Sequence, residues 1–232
     1  MAHSKSNSGG GRGRELEAVF FDQDGVLIDS EGAWDAARRA VVAETGGHWK
    51  LEATRAMMWM SAPEWSRYMR DELGVSLEPA EISARVLQRL LAGYERDLPL
   101  MPGAVDAVKR VAARWPVGLA SSANREVIDT VLQASGLAGT FGATVAGEEV
   151  ARGKPAPDIY LEAARRLGID PARSAAVEDS SNGLRAAAAA GMLVVAFPNR
   201  EFPPDPDALA LAAVVLNSGS LEELSPELLE GL

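Results

Sequence analysis

The chain has 232 residues, enough for one large domain or two small ones. Its 23 Lys and Arg against 33 Asp and Glu give a formal net charge of -10 at pH 7, so it offers no basic face to a nucleic acid and we expect none as a partner. There is no cysteine and only two histidines, which argues against thiol nucleophiles, Ser-His-Asp triads and Cys/His zinc sites. The chemistry must therefore rely on carboxylates, hydroxyls and lysines.

The first 14 residues are rich in serine and glycine and lack the apolar stretch of a secretory signal. We expect residues 1–14 to be a disordered leader outside the fold. The longest uncharged apolar run, residues 186–198, is about 13 residues long, whereas roughly 20 are needed to span a bilayer. The sequence therefore predicts a soluble, cytoplasmic protein that does not enter a membrane.

Short apolar runs alternate with helical segments through most of the chain. Five runs are predicted strands: 18–21, 117–120, 143–146, 175–178 and 193–197. The helices predicted between the later strands each end at a glycine, a common C-terminal stop. They cover residues 127–135, 159–167 and 184–190. This alternation predicts an α/β protein whose parallel sheet is covered by helices on both faces.

Between the first two strands the pattern is helical only. Apolar residues recur at spacings of three and four, as in Trp34, Ala37 and Val41. We therefore predict a helical insertion over residues 31–97, with the sheet domain built from residues 15–30 and 98–232. An insertion at this point lies beside the C-terminal edge of the sheet, where ligands of α/β proteins bind.

Two aspartates follow the first strand directly, Asp22 and Asp24, and Gly25 allows a sharp turn after them. A carboxylate can attack a phosphoryl group and form an aspartyl-phosphate. A second carboxylate can then protonate the leaving oxygen and later accept a proton from water. We assign these roles to Asp22 and Asp24 respectively, although an aspartate pair after a strand can also serve a turn or a helix cap.

Complementary groups follow three other predicted strands. Ser121 and Ser122 come after the second strand, Lys154 lies in a proline-stiffened segment, and Glu178 with Asp179 ends the fourth strand. A serine hydroxyl and a lysine ammonium can both hold phosphate oxygens. By itself each has a simpler interpretation, a helix cap for the serine and a solvated side chain for the lysine.

The adjacent carboxylates of Glu178 and Asp179 would repel each other at the end of an apolar strand unless a cation lay between them. Together with Asp22 and the backbone carbonyl of Asp24 they form an all-oxygen set. Such a set suits Mg²⁺, which can also bridge to a substrate phosphate. The sequence therefore predicts Mg²⁺ as the cofactor.

These four segments, DQDGVLIDSE, LASSAN, GKPAPDIY and VEDSSNG, resemble in type and order the motifs of the haloacid dehalogenase-like phosphohydrolases. The resemblance is to the branch with β-phosphoglucomutase, phosphoglycolate phosphatase and sugar-phosphate phosphatases, and it covers about residues 18–200. The resemblance implies a Rossmann-like three-layer αβα core with an α-helical cap domain over the site. The roles it implies match those above: catalysis by Asp22, Asp24, Ser121 and Lys154, phosphate binding by Ser121, Ser122 and Lys154, and metal binding by Asp22, Asp24, Glu178 and Asp179.

The insertion departs from some members of that family. Trp34 falls where the sugar-phosphate mutases carry a histidine that assists proton transfer, and Trp59 falls where relatives often carry glycine. We take Trp34, Trp59 and Ser61 as candidate specificity residues, with packing inside the insertion as the simpler interpretation of the tryptophans. Trp34 favours a phosphatase over a mutase.

The predicted function is that of a phosphoric monoester hydrolase, a Mg²⁺-dependent phosphatase that acts on a small phosphorylated metabolite such as a sugar or polyol phosphate. We expect a monomer or a weak homodimer. One alternative is a β-phosphoglucomutase-like mutase, in which a sugar hydroxyl instead of water takes the phosphoryl group from Asp22. A second is a non-catalytic phospho-acceptor or regulator, which Asp24 disfavours because it would promote hydrolysis of the phospho-aspartate.

Overall fold

The computed structural model describes residues 15–57, 60–200 and 202–232, so the predicted leader lies outside the described residues. Six parallel strands form one sheet in the order β3-β2-β1-β4-β5-β6. Their bounds are Ala18–Phe21 (β1), Val117–Ser121 (β2), Ala143–Ala146 (β3), Ser174–Glu178 (β4), Leu193–Ala196 (β5) and Val214–Val215 (β6). The five predicted strands are all present, within one residue at each end.

Alternate residues of β1 point into two separate hydrophobic cores. Val19 and Phe21 belong to one core, and Ala18 and Phe20 to the other. All four are fully buried because helices cover both faces of the sheet. The helices of the sheet domain are Ala104–Ala112 (α5), Arg125–Ala134 (α6), Asp158–Leu167 (α7), Ser181–Ala189 (α8) and Pro206–Leu209 (α9). The first core takes in α5 and α6, and the second takes in α7, α8 and α9. The Rossmann-like three-layer core is thus confirmed.

Among the described residues five helices stand between β1 and β2, and four of them precede α5. These four are Ser30–Glu44 (α1), Ala53–Met57 (α2), Ala62–Asp71 (α3) and Pro79–Arg96 (α4). Helix α4 packs against both α1 and α3 and also against α6 of the sheet domain. The buried side chains of the inserted helices therefore join the core on the α5 and α6 side of the sheet.

Three elements differ from the sequence-based expectation. The pattern analysis did not identify α5, and it missed β6, whose two residues are too short a run to show alternation. The C-terminal sequence LEELSPELLEGL is typical of one capped helix. In the structure it is a 3₁₀ turn at Leu221–Glu223 followed by a short helix, Pro226–Glu230 (α10). Ser225 caps α10 and Pro226 cannot continue a preceding helix, so the segment divides there.

No described helix has the length and apolar character needed to cross a membrane. The expected cytoplasmic location, and the expected monomer or weak homodimer, stay predictions.

Candidate active site

The turn after β1 carries Asp22 and Asp24 to the C-terminal edge of the sheet. The Asp22 amide donates to the carbonyl of Val177 in β4 at 3.0 Å, which extends the sheet pairing by one residue. Gly25 then turns the chain with φ +78°, and a β-carbon there would lie 1.9 Å from Oδ2 of Asp179. Glycine is therefore required both by the backbone angle and by the close approach of Asp179.

Lys154 reaches this turn from the segment before α7. Its Nζ donates to Oδ1 of Asp22 at 2.6 Å and to Oε1 of Glu178 at 2.5 Å. The lysine side chain is only 6% exposed, and the Asp22 and Glu178 side chains are 8% and 0% exposed. Lys154 is thus a buried cation between two buried carboxylates.

Glu178 is held on both of its oxygens. Oε1 accepts from Lys154 and also from the Tyr160 hydroxyl at 2.8 Å. Oε2 accepts from the backbone amide of Asp179 at 3.1 Å and from the Ser180 hydroxyl at 3.4 Å. Glu178 therefore lies beneath the site, whereas the Asp179 carboxylate accepts no hydrogen bond within the described part of the chain and lines the cavity.

Burial dominates the proton affinities of these groups. It raises the pKa of Asp22 to about 8, although the Lys154 ammonium acts in the opposite direction. Burial also raises the pKa of Asp179 far above its usual range, and the charges of Glu178 and Asp22 add to that effect. For Lys154 burial lowers the pKa, but the carboxylates of Asp22 and Glu178 outweigh it and the net change is upward. The cluster therefore holds more negative charge than one lysine compensates.

Burial likewise raises the pKa of Asp24, and the hydroxyls of Ser30 and Ser121 act against it. The Ser121 hydroxyl donates to Oδ2 of Asp24 at 3.4 Å and accepts from the amide of Ala123 at 3.1 Å. Oδ1 of Asp24 is buried and has no hydrogen-bond partner among the described residues. One oxygen of Asp24 is thus held in place, and the other is buried with its hydrogen-bonding capacity unused among the described residues.

Ser121 and Ser122 face different surroundings. Ser121 ends β2, is fully buried and turns toward Asp24. Ser122 is exposed and lines the cavity, as does Lys154. Of this pair, Ser122 lines the cavity and Ser121 does not, and the phosphate-binding roles of both serines stay predictions.

The carboxylates of Asp22, Glu178 and Asp179 fit a small, hard dication. Each contributes an oxygen, and the three oxygens lie within 4.8 Å of one another. Oxygen-only donors with an excess of negative charge are what Mg²⁺ prefers. Asp22 and Asp179 are the better placed of the three because Glu178 is engaged by hydrogen bonds on both oxygens.

A cavity of about 450 Å³ opens above these groups. Its walls come from the turn after β1, the start of α1, the start of α8 and the loop after β5. The lining residues are Asp22, Asp24, Gly25, Asp29, Ser30, Glu31, Ser122, Lys154, Asp179, Ser180, Ser181, Asn182, Arg185, Asn199, Phe202, Pro203, Pro204 and Asp205. This volume accommodates a small metabolite.

Of the three candidate specificity residues, Trp34 and Ser61 belong to the part of the chain that the structure describes, and neither lines this cavity. Trp34 packs at 6.3 Å from the Trp65 ring within the insertion. Ser61 lies directly before α3, and its backbone amide and hydroxyl donate to Glu64 at 2.7 and 2.6 Å. Trp59 lies outside the described residues. Trp34 and Ser61 thus have structural contacts of their own, and their predicted contact with the leaving group stays a prediction.

Two residues that the sequence analysis did not assign are part of this region. Tyr160 is fully buried and donates to Glu178, and it is the last residue of the GKPAPDIY segment that also carries Lys154. Glu31 lines the cavity one residue into the predicted insertion. Glu31 is likewise the last residue of the DQDGVLIDSE segment, so the motifs contained a signal for both residues.

Residues 16–191 match the family model of the haloacid dehalogenase-like hydrolases. Hexitol phosphatase B of Escherichia coli is 34% identical, over 94% of this chain and 98% of its own. Fructose-1-phosphate phosphatase YqaB of the same organism is 30% identical, over 75% of this chain and 92% of its own. The crystal structure of CbbY from Rhodobacter sphaeroides in complex with phosphate superposes with a TM-score of 0.77 and 29% identity, covering 90% of this chain and 96% of CbbY.

The matches cover the sheet domain, the insertion and all four motifs. They confirm the predicted family and the predicted enzyme class, a phosphoric monoester hydrolase. Because the family model matches well over half of the chain, the protein belongs to the haloacid dehalogenase-like hydrolase family.

Proposed function

We propose that the protein is a Mg²⁺-dependent phosphatase that hydrolyses a sugar or polyol phosphate through an aspartyl-phosphate on Asp22. The observation that carries the proposal is the meeting of Asp22, Asp24, Lys154 and Asp179 around one cavity. Two relatives are named as a hexitol phosphatase and a fructose-1-phosphate phosphatase, which supports a sugar or polyol as the leaving group.

In the first step an oxygen of Asp22 bonds to phosphorus, and the bond from phosphorus to the leaving oxygen breaks. The leaving oxygen keeps the electron pair and takes a proton from Asp24. In the second step Asp24 accepts a proton from water, the water oxygen bonds to phosphorus, and the bond to Asp22 breaks. The raised pKa of Asp24 and its unpartnered Oδ1 support a group that carries the proton in one step and accepts it in the next.

Lys154 and Ser122 line the cavity beside Asp22, which supports their contact with phosphate oxygens. Lys154 also donates to Oδ1 of Asp22 and so holds the nucleophilic carboxylate in place. Ser121 would act by orienting Asp24 through its hydroxyl and by joining the phosphate contacts when the substrate is bound.

Asp22, Asp179 and the backbone carbonyl of Asp24 would hold Mg²⁺, with Glu178 as a further ligand or as the support of Lys154. When bound, the ion offsets the repulsion between the anionic nucleophile and the phosphate dianion. We also propose that residues 31–97 act as a cap domain, because its first residue, Glu31, lines the cavity next to Asp29 and Ser30 of the sheet domain. Closure of such a cap would exclude bulk water from the phosphoryl group.

The first test is phosphate release from a panel of sugar, polyol and glycolate phosphates with Mg²⁺. We expect release from at least one hexose or hexitol phosphate, and its loss both in EDTA and in the Asp22→Asn variant. Isomerised sugar phosphate in the presence of a bisphosphate primer, without phosphate release, would instead identify a mutase. No turnover in either assay would argue for a regulator.

The stability of the protein should depend on pH and on Mg²⁺ together. Because the folded-state pKa of Asp22 is raised from 3.8 to about 8, the metal-free fold loses stability as pH rises from about 4 to about 8. Mg²⁺ binds the ionised carboxylates and thus offsets this loss more at high pH than at low pH. We expect the rise in Tm on adding Mg²⁺ to grow between about pH 5 and about pH 8, measured by differential scanning fluorimetry against EDTA.

The Asp179→Asn variant should lose most of this Mg²⁺ effect. Asp106→Asn is the matched control, since Asp106 is exposed on α5, far along the chain from the cluster. A Mg²⁺-induced rise in Tm that is the same at every pH, or the same in Asp179→Asn, would contradict the proposed ion site.

A further inference from the structure

Two buried polar atoms of complementary type lie near the reaction centre without a partner. The Tyr94 hydroxyl, on α4 of the insertion, and Oδ1 of Asp24, in the turn after β1, make no hydrogen bond with any described residue. Tyr94 is only 1% exposed, and its ring belongs to the core that the insertion shares with α5 and α6. A buried hydroxyl and a buried carboxyl oxygen are each costly when unpaired, and the first can donate to the second.

The end of α4 lies beside the segment that follows Asp24. The amide of Asp29 donates to the carbonyl of Pro99, three residues after α4, at 2.8 Å. Tyr94 and Asp29 also line one cavity of about 500 Å³ between α1 and α4, and Asp29 lines the active-site cavity as well. Tyr94 is therefore placed where the insertion joins the sheet domain, next to the wall of the active site.

The charge of Asp24 acts on the Tyr94 hydroxyl. Burial raises the pKa of Tyr94, and the carboxylate of Asp24 adds to this effect more than any other carboxylate does. Gln23 carries further unpaired atoms in the same turn, its Nε2 and Oε1. Gln23 moves with Asp24, however, whereas Tyr94 moves with the insertion. Tyr94 can therefore link the position of the insertion to that of Asp24, and Gln23 cannot.

We propose that Tyr94 is a positioning residue for Asp24: when the insertion closes over a bound substrate, the Tyr94 hydroxyl donates to Oδ1 of Asp24 and holds the carboxyl group against the leaving oxygen. This inference rests on the proposed phosphatase function and adds to it how closure prepares the acid. A carboxyl oxygen has two lone pairs, so Oδ1 can accept from Tyr94 and still exchange a proton. A hydrogen bond that forms on closure would make Asp24 effective only around an enclosed substrate.

The test removes the hydroxyl alone. Tyr94→Phe keeps the buried ring, and we expect kcat for a hexitol phosphate to fall about 10- to 100-fold. KM should stay within about threefold, since Tyr94 acts through Asp24 and does not touch the substrate. The Tm of the substrate-free variant should equal or exceed that of the wild type, because the change removes a buried atom without a partner. Tyr68→Phe, on α3 of the same insertion and not in the lining of the active-site cavity, is the matched control and should keep the wild-type kcat.

Two further measurements connect the loss to Asp24. Nitrophenolate leaves without a proton, so its release from 4-nitrophenyl phosphate in a single turnover should stay within about twofold of the wild type in Tyr94→Phe. In an Asp24→Asn background the same change should lower kcat by less than about twofold, because the group that Tyr94 positions is already lost.

Equal losses on both substrates, losses that multiply in the double variant, or a lowered Tm would show that the Tyr94 hydroxyl supports the fold, and would overturn the inference. A wild-type kcat for the hexitol phosphate in Tyr94→Phe would overturn it as well. All of these results leave the phosphatase proposal intact. Absence of phosphate release by the wild-type enzyme from every compound would instead overturn the phosphatase proposal, and this inference with it.

Discussion

Replacing Asp24 with asparagine is expected to slow the hydrolysis of a hexitol phosphate by about 10²- to 10⁴-fold. Asparagine keeps the size of the side chain and can still accept from the Ser121 hydroxyl, so the turn after β1 should stay intact. It cannot give a proton to the leaving oxygen or take one from water. Both proposed steps therefore lose their proton carrier.

The size of the loss should depend on the leaving group. A nitrophenolate leaves without a proton, so transfer from 4-nitrophenyl phosphate to Asp22 should be much less impaired in Asp24→Asn than transfer from a hexitol phosphate. Hydrolysis of the aspartyl-phosphate would then limit turnover. We expect a burst of nitrophenolate of about one equivalent in stopped flow, followed by slow release.

Asp22→Asn is the comparison for this experiment, because it removes the nucleophile and should abolish the burst along with turnover. Asp106→Asn should behave like the wild type. Equal losses on both substrates with no burst in Asp24→Asn would contradict the acid and base role, and would leave Asp24 as a backbone ligand and a structural residue of the turn.

The strand ends account for most of what the sequence predicted about the site. Three of the site residues are far apart in the chain: Asp22, Lys154 and Asp179. Asp22 and Asp179 each follow a predicted strand of one parallel sheet, and Lys154 lies shortly before a predicted helix that covers this sheet. The C-terminal ends of such strands share one edge, so the topology alone brings these residues together. Gly136, Gly168 and Gly191 all have positive φ after their helices, as the predicted stops require.

The sequence could not predict where each side chain at that edge points. Ser121 and Ser122 are neighbours, yet one is buried toward Asp24 and the other lines the cavity, because successive side chains leave a strand on opposite sides. The side chains of Glu178 and Asp179 likewise point to opposite sides, since Glu178 lies beneath the site and Asp179 lines the cavity. Tyr160, in α7, donates the remaining hydrogen bond to Glu178. Such choices depend on packing between elements that are distant in the chain.

The insertion shows the same limit. Helical spacing predicted that Trp34 packs inside the insertion, and it does, but spacing carries no information that Arg38 lies between Trp34 and Trp65. A buried arginine without a hydrogen bond to its Nε is costly. Burial lowers the pKa of Arg38, and the charges of Glu31 and Asp35 act against that effect.

Replacing Lys154 with methionine should affect both stability and turnover. Methionine has a similar length without the charge, so it leaves Asp22 and Glu178 as buried carboxylates with no compensating cation. Breaking a buried ion pair in this way costs about 3–5 kcal/mol. We expect the free energy of unfolding, measured by urea denaturation in EDTA at about pH 8, to fall by that amount.

The pH dependence of this loss identifies its cause. Without Lys154 the pKa of Asp22 should rise further, since the ammonium is the group that opposes burial there. At about pH 5 the variant can therefore bind a proton in place of the lost cation, and its destabilisation should be smaller than at about pH 8. Lys109→Met, at an exposed position on α5, should show no loss at either pH. A destabilisation of equal size at both values would indicate lost packing instead of lost charge.

Turnover in the same variant tests the second role of Lys154. Mg²⁺ should recover part of the stability, because its charge can offset the carboxylates that the lysine no longer balances. The ion cannot take over the contact between the ammonium and the phosphate oxygens, and loss of one charged donor to a transferring group typically costs about 10²- to 10³-fold in kcat. A folded, Mg²⁺-saturated Lys154→Met enzyme with kcat within a factor of about ten of the wild type would show that Lys154 stabilises the carboxylate cluster and takes no part in holding the phosphoryl group.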